Sequence, residues 1–298
     1  MNCVRSKSAI HATAAVAALL ALGGCAKPEA QTTDTAAKSG AAASTPAAAA
    51  TPNMVSFTAK EFSFEGPDTI PAGLTMIHLT DAGQELHHVQ LIKLEEGKTF
   101  ADYQAAVKDM KGPPPAWMVP YGGVNPPAPG ATTTAMQVIE PGNYAVVCFV
   151  EGADHVPHLA KGMMRPLTVT PSANANTAEP TADVTLTLSD YTFTLSKPLV
   201  AGRQLIRVEN AAAQPHEVVL VQLAPGKTIG DVAKWVFEMK GPPPGKPIGG
   251  IPAFVKGKNT FFEANLPPGE YGMVCFVPDA KDGKMHVEHG MTTQFKIG

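Results

Sequence analysis

The chain has 298 residues and a formal net charge of −3 at pH 7, with 26 acidic residues against 23 basic ones. It has no basic run and no stripe that interleaves aromatic with basic residues, so we expect no nucleic-acid partner. Beyond the first 25 residues no long apolar segment occurs, so no other part is expected to cross a membrane.

The first 25 residues have the pattern of an export signal. Arg5 and Lys7 give a short positive start, and the apolar stretch 9–22 that follows is too short to span a bilayer. The sequence Leu-Gly-Gly-Cys that ends at Cys25 resembles the lipobox of bacterial lipoproteins. This resemblance implies that residues 1–25 are removed as a lipoprotein signal peptide and that Cys25 is the lipidation site. The alternative is an ordinary secretory signal with an incidental cysteine.

The segment 26–53 is mostly Ala, Thr, Ser, Pro and Lys. Such a composition has little to bury, which predicts a disordered tether. With a lipid anchor at its start, the protein is expected in the cell envelope, on the periplasmic face of a membrane. The lipoprotein resemblance favours the outer over the inner membrane, because Ala26 rather than Asp follows the anchor residue.

The rest of the sequence consists of two copies of one repeat unit. The His-x-Val motif at His87 recurs at His216, and the Tyr-x-x-x-Cys motif that ends at Cys148 recurs at Cys275. A Met-Lys-Gly-Pro-Pro-Pro run also occurs once in each copy. The predicted parts are copy one at 54–170, a linker at 171–182 and copy two at 183–298.

Most of each copy has the pattern of β-strands. Alternating or β-rich runs occur at 55–59, 75–80, 88–94, 184–188, 204–209 and 217–223, and before both cysteines. One helix per copy interrupts them. Thr99 and Thr228 are predicted N-caps with Asp three residues later, and the Gly-Pro-Pro-Pro runs end the helices. The prediction is an all-β fold of two tandem β-sandwiches, each with one inserted helix.

Each copy also carries four residues suited to a metal. In copy one these are His87, Cys148, His158 and Met163, and in copy two His216, Cys275, His286 and Met291. A thiolate, two imidazoles and a weak thioether are the ligands of copper in electron-transfer sites. Zinc accepts Cys and His but rarely takes Met. The set therefore predicts copper as the cofactor.

On these motifs the chain resembles the cupredoxins, the family of plastocyanin and azurin, over both copies. The resemblance implies Greek-key sandwiches, mononuclear type 1 copper in each copy and one-electron transfer. Two features depart from the familiar pattern. Nine residues separate Cys148 from His158 and ten separate Cys275 from His286, where the family has only a few. The residue after the first His is His88 or Glu217 instead of the frequent Asn.

Four protein ligands leave a metal no open position, and neither cysteine has the adjacent His that multicopper oxidases need. We therefore expect the chain not to be an enzyme. The expected partner is a redox protein such as a cytochrome or a membrane oxidoreductase, recognised through a basic patch because the chain is acidic.

Two alternatives stay open. Copper capture and delivery in the periplasm would suit the long loops and the extra histidines His155 and His289. A metal-free structural or binding module would keep the fold as a scaffold only.

Overall fold

The computed structural model describes residues 51–108 and 110–298. The predicted signal peptide, the lipidation site Cys25 and nearly all of the predicted tether lie outside this part. Within the described residues, no helix has the length and apolar character that crossing a membrane requires.

The described residues form mostly β-structure with one α-helix in each copy. The first half contains β1 (Asn53–Lys60), β2 (Ser63–Glu65), β3 (Thr69–Pro71), β4 (Gly73–Asp81), β5 (Val89–Leu94), α1 (Phe100–Lys108), β6 (Met118–Val124), β7 (Thr132–Ile139), β8 (Gly142–Val147) and β9 (Met164–Thr170). The second half contains β10 (Val184–Ser189), β11 (Thr192–Leu195), β12 (Gly202–Asn210), β13 (His216–Leu223), α2 (Ile229–Glu238), β14 (Gly245–Phe254), β15 (Asn259–Leu266), β16 (Gly269–Val274) and β17 (Thr292–Ile297).

The strands form two sheets, and both sheets run through both copies. One has the order β11-β10-β12-β15-β7-β4-β1-β2 and the other β17-β16-β13-β14-β6-β5-β8-β9-β3. The copies join where β7 pairs with β15 and where β6 pairs with β14, with Tyr121 opposite Phe254. The predicted all-β sandwich class with one α-helix per copy is confirmed. The predicted boundaries of the two domains stay a prediction.

The core lies between the two sheets. Val55, Phe57 and Ala59 on β1 point inward, and the alternate residues of β10 do the same. One continuous cluster of buried side chains includes Cys148 and Cys275. Both cysteines therefore belong to the sandwich itself, not to a surface loop.

The two helices begin as the sequence predicts. At α2 the Asp231 N–H donates to the Thr228 hydroxyl over 3.2 Å, and the Thr228 N–H donates to the Asp231 carboxylate over 2.8 Å. Thr99 and Asp102 make the same reciprocal pair at α1. Both helices end before the Gly-Pro-Pro-Pro runs, which confirms the predicted capping boxes and ends.

Strands β6 and β14 are absent from the sequence-based prediction. Each contains a glycine pair, and at the second glycine of the pair the backbone of the neighbouring strand is too close for a side chain. A Cβ at Gly123 would lie 2.0 Å from the Val89 carbonyl oxygen, and one at Gly250 would lie 2.0 Å from that of Val218. Both glycines have φ in the left-handed region, at 130° and 119°. They allow the close approach of β5 to β6 and of β13 to β14.

An ion-pair cluster joins the two copies, and it predicts a dependence of stability on pH. Glu140 of copy one pairs with Lys258 of copy two, and its other oxygen lies 2.6 Å from Lys93 Nζ. Burial raises the pKa of Glu140, but the two lysines outweigh this and lower it from an ordinary 4.5 to about 2. Because the folded pKa is depressed, the stabilisation is complete above about pH 4.5 and is lost as the pH falls towards 2.

We expect Glu140→Gln to lower the free energy of unfolding at pH 7 and to have a much smaller effect at about pH 3, where the carboxylate begins to protonate. Urea unfolding at both pH values measures this. Glu65→Gln is the matched control, because its pair with Lys60 is exposed and contributes little at either pH. An equal loss for Glu140→Gln at both pH values would contradict the account.

Candidate metal centres

The first candidate centre contains His87, Cys148 and His158, and Met163 is its predicted fourth ligand. Cys148 follows β8, His87 lies just before β5, and His158 begins a 3-10 turn that spans His158–Lys161. These three side chains are fully buried, although they are separated by up to 71 positions in the chain. One ligand atom from each of the three lies within 4.8 Å of the others.

The atoms that face one another in this centre are two imidazole nitrogens and a sulfur. The Nδ1 atoms of His87 and His158 are 3.0 Å apart, and Cys148 Sγ is 3.5 Å from His158 Nδ1. The three donor atoms therefore lie close enough together for one bound cation to contact all of them.

The second candidate centre, formed by His216, Cys275, His286 and Met291, repeats this arrangement. Cys275 Sγ is 3.3 Å from His286 Nδ1, and the rings of His216 and His286 are 4.4 Å apart between centroids. His216 Nδ1 is buried and has no hydrogen-bond partner among the described residues. A buried polar atom without a partner is costly, and a metal ion would satisfy it.

The predicted ligands Met163 and Met291 are fully buried. The Met163 N–H donates to the His158 carbonyl over 2.9 Å, and the Cys148 N–H donates to the Met163 carbonyl over 3.2 Å. Met291 makes the corresponding bonds in copy two, at 2.9 and 3.3 Å. The segment between His and Met has the same length in both copies and forms a closed turn. Its backbone hydrogen bonds connect each methionine to the cysteine and the histidine of its own copy.

A carboxylate holds the outer nitrogen of one histidine in the first centre. His158 Nε2 is 2.8 Å from Glu85 Oε2, whereas His87 Nε2 lies 3.8 Å from Glu61 Oε1 and has no hydrogen-bond partner among the described residues. The buried carboxylate of Asp81 also accepts a hydrogen bond from the His87 N–H over 3.2 Å. Such partners fix the ring orientation and raise the basicity of the nitrogen that faces the metal.

One histidine of the second centre has the same support from a different residue. His216 Nε2 is 3.0 Å from Asp190 Oδ1, whereas His286 Nε2 lies 3.7 Å from Asp279 Oδ2 and has no hydrogen-bond partner among the described residues. The sequence analysis missed these carboxylates. A signal for one pair exists, because Glu61 and Asp190 each stand 26 positions before the first histidine of their copy. Asp279 has no such signal, since an acidic residue is common in any loop.

Burial sets the protonation of the ligands. It lowers the pKa of His87 and His216, and that of His286 to about 4, so these imidazoles are neutral at pH 7. It raises the pKa of Cys148 to about 12 and that of Cys275 further. The imidazole electron pairs are therefore free to bind a metal, whereas each thiol must give up its proton on binding.

The donor set fits copper. Sulfur ligands suit Cu(I) and imidazoles suit Cu(II), and a buried triad with a methionine beside it offers both. Hard cations such as Ca²⁺ and Mg²⁺ require oxygen ligands. The carboxylates of Glu85 and Asp190 lie on the Nε2 side of the histidines, away from the cysteine sulfur.

The remaining histidines lie outside the two triads. His155 lies in an exposed loop, 3.8 Å from Glu151. His289 stacks on Tyr191 and lies 3.2 Å from Asp282. His88 points away from the first centre, as its place in the strand predicts, and its Nε2 accepts a hydrogen bond from the Phe149 N–H over 2.9 Å.

Comparison with known proteins gives similarity of fold. No family model and no curated protein matches the sequence. Among solved structures, reduced auracyanin from the photosynthetic bacterium Roseiflexus castenholzii is 21% identical and covers 41% of this chain and 100% of its own, with a TM-score of 0.28. The blue copper oxidase of Nitrosomonas europaea is 17% identical over 82% of this chain and 85% of its own, with a TM-score of 0.26. The copper nitrite reductase of Nitrosomonas europaea is 13% identical and covers 83% of this chain and 94% of its own, with a TM-score of 0.24.

These comparisons correct the prediction that the chain is not an enzyme. The structures similar over about four fifths of the chain include multicopper oxidases and a copper nitrite reductase, which are enzymes. The prediction took a closed metal site as evidence against catalysis. That reasoning fails because a closed site can pass electrons within an enzyme whose reaction takes place elsewhere.

The contact between His216 and Asp190 predicts a measurable loss of metal affinity. In a Cys148→Ser background, where only the second centre is complete, Asp190→Ala is expected to weaken Co(II) binding by roughly 10–100-fold. The thiolate-to-cobalt absorption reports the binding. Glu263→Ala is the matched control, since this acidic residue pairs with Arg203 and contacts no predicted ligand. Equal affinities of the Asp190→Ala and Glu263→Ala proteins would show that Asp190 does not support the centre.

Proposed function

We propose that the protein is a membrane-anchored copper protein of the cell envelope that transfers single electrons through two mononuclear type 1 copper centres. The observation that carries the proposal is that one nitrogen from each of two histidines and one cysteine sulfur lie within 4.8 Å of one another in the core of both copies. Copper, when bound, supplies the one-electron redox couple. The residues of the chain hold the ion, exclude water and limit rearrangement.

Rigidity of the centres supports electron transfer. Each ligand is buried, each cysteine directly follows a central strand, and the loop that carries each second histidine is closed by backbone hydrogen bonds. Carboxylates also fix the outer side of the histidine rings. A site held in this way does not need to rearrange when its charge changes, which keeps the barrier to electron transfer low.

The position of the centres supports exchange with a partner. The ligand His158 is fully buried, but its Nε2 contacts Glu85, whose side chain is 37% exposed. His216 contacts Asp190, whose side chain is 47% exposed. Each centre thus lies one residue from solvent on an acidic surface. We propose that a cytochrome or a membrane oxidoreductase with a basic patch docks there.

The proposed location rests on the sequence before the described residues. A lipid on Cys25 would anchor the protein, and the segment 26–53 would let the folded part reach partners on the periplasmic side of the membrane, with the outer membrane favoured. The sequence Leu-Gly-Gly-Cys supports this proposal.

Copper capture and delivery is the second candidate, and one observation favours it. Ligand atoms of Asp279, Asp282 and His289 lie within 4.8 Å of one another, and Asp279 also faces the ligand His286. This places oxygen and nitrogen donors between solvent and the second centre. Transfer of copper to a competing apo-protein would support delivery, and retention of copper would support a redox carrier.

Titration of the purified protein with Cu(II) tests the proposed function. We expect an intense thiolate-to-copper absorption band that saturates at about two equivalents, because each centre supplies one cysteine sulfur. Cys148→Ser and Cys275→Ser should each reduce the saturation point to about one equivalent. Persistence of the full band in both variants would show that other residues bind the metal. Tight binding without the band would favour delivery, and no binding would leave a metal-free module.

A further inference from the structure

A group of three polar side chains in copy two lies outside both metal centres. It consists of Asp279, Asp282 and His289, and one ligand atom from each lies within 4.8 Å of the others. The side chains of Asp282 and His289 are 40% and 26% exposed, whereas that of Asp279 is buried. Ions in the solvent can therefore reach the group, and the buried carboxylate forms its inner side.

The buried carboxylate is fixed in position. The Tyr191 hydroxyl donates to Asp279 Oδ2 over 2.5 Å, and the Lys281 N–H donates to Asp279 Oδ1 over 2.8 Å. The Tyr191 ring also stacks on His289, with 4.7 Å between the ring centroids. One tyrosine thus contacts two of the three members of the group.

A buried nitrogen without a partner points to this group from inside the protein. The His286 side chain is fully buried, and its Nε2 has no hydrogen-bond partner among the described residues. This atom lies 3.7 Å from Asp279 Oδ2, while Nδ1 of the same ring lies 3.3 Å from Cys275 Sγ. Buried polar atoms normally have a partner. A water molecule on an ion held by the group would supply one.

Copy one differs at the same place. The isolated β-bridges at the base of the two loops align Gly152 of copy one with Asp279 of copy two. A Cβ at Gly152 would lie 2.7 Å from Glu85 Oε2, and that carboxylate contacts His158 Nε2 directly at 2.8 Å. The outer nitrogen of His158 therefore has its own carboxylate. Among the described residues of copy one, no second group of metal-binding side chains forms beside the triad.

We propose that Asp279, Asp282 and His289 bind a divalent cation of the zinc type, and that the bound ion raises the reduction potential of the second centre. Carboxylates and imidazoles are zinc ligands, and water completes the coordination where the protein gives only three. Calcium is disfavoured because it takes about six to eight oxygen ligands. The effect on the potential rests on the proposed function, which places copper in the second centre, but binding of the cation does not.

The charge of the bound ion accounts for the effect on the potential. Only the imidazole ring of His286 separates the group from the second centre. Reduction of that centre converts Cu(II) to Cu(I) with one electron from the redox partner. A nearby divalent cation repels Cu(II) more strongly than Cu(I), because repulsion grows with the product of the charges. The cation therefore favours the reduced state, and by linkage the reduced protein binds the cation more tightly by the same factor.

Calorimetric titration with Zn²⁺ tests the site in the full chain loaded with copper, where both centres are already filled. We expect about one equivalent to bind. His289→Ala should weaken this binding by about ten-fold or more, since removal of a ligand costs at least as much as removal of a residue that only supports one. Asp282→Asn, which keeps the shape of the side chain, should have the same effect.

His155→Ala is the matched control for the zinc titration. This histidine of copy one also lies beside a carboxylate on the surface, 3.8 Å from Glu151, but outside the proposed site. Its replacement should leave the Zn²⁺ affinity unchanged. Equal Zn²⁺ affinities of the His289→Ala and His155→Ala proteins would overturn the site.

Redox titration of the Cys148→Ser protein, in which only the second centre is complete, tests the effect on the potential. Zn²⁺ should raise the potential of this protein, and it should have no such effect when His289→Ala is added. A constant thiolate-to-copper band shows that the protein stays folded and that zinc does not replace copper. Bound Zn²⁺ that leaves the potential unchanged would overturn the proposed effect.

The two titrations also separate this inference from the proposed function. A missing thiolate-to-copper band in the Cys148→Ser protein would overturn the second copper centre, and with it the effect on the potential. Zinc titration of the copper-free His289→Ala and His155→Ala proteins would then still decide whether the surface site exists.

Discussion

Each copy buries two imidazoles and a thiol against one another, and this constraint accounts for much of the surrounding structure. Polar donors are costly to bury unless each has a partner. Two of the outer nitrogens bond to carboxylates, that of His158 to Glu85 and that of His216 to Asp190. The outer nitrogens of His87 and His286, and Nδ1 of His216, have no hydrogen-bond partner among the described residues. A folded protein that keeps this arrangement in both copies is built to receive a soft cation at that point.

The second feature that organises the molecule is the pairing of the two copies. Because β6 joins β14 and β7 joins β15, the sheets continue from one copy into the other, and residues at the junction are buried from both sides. At this junction the sequences of the two copies differ. Asn125 of copy one, which corresponds to Pro252 of copy two, donates from Nδ2 to the Val218 carbonyl of copy two over 2.9 Å. The two copies are therefore joined by a polar contact that occurs on one side of the junction only.

The helix caps and the candidate ligands could be predicted from the sequence, because their signals are local. The capping boxes at Thr99 and Thr228 need only two residues three positions apart, and the ligand residues recur in the same order in both copies. Strand β14 was missed because Gly249 and Gly250 resemble a turn until the contact with β13 is known. Glu85 and Asp279 were missed because their role depends on where a distant loop folds. The shared sheets depend on edge pairing between copies, which no local pattern encodes.

Diffraction from copper-soaked crystals at energies around the copper absorption edge would test the central claim most directly. The account predicts two anomalous peaks, one between the Nδ1 atoms of His87 and His158 and Cys148 Sγ, and one at the corresponding atoms of His216, His286 and Cys275. Peaks at other residues, such as the group of Asp279, Asp282 and His289, with none at the two triads, would contradict it.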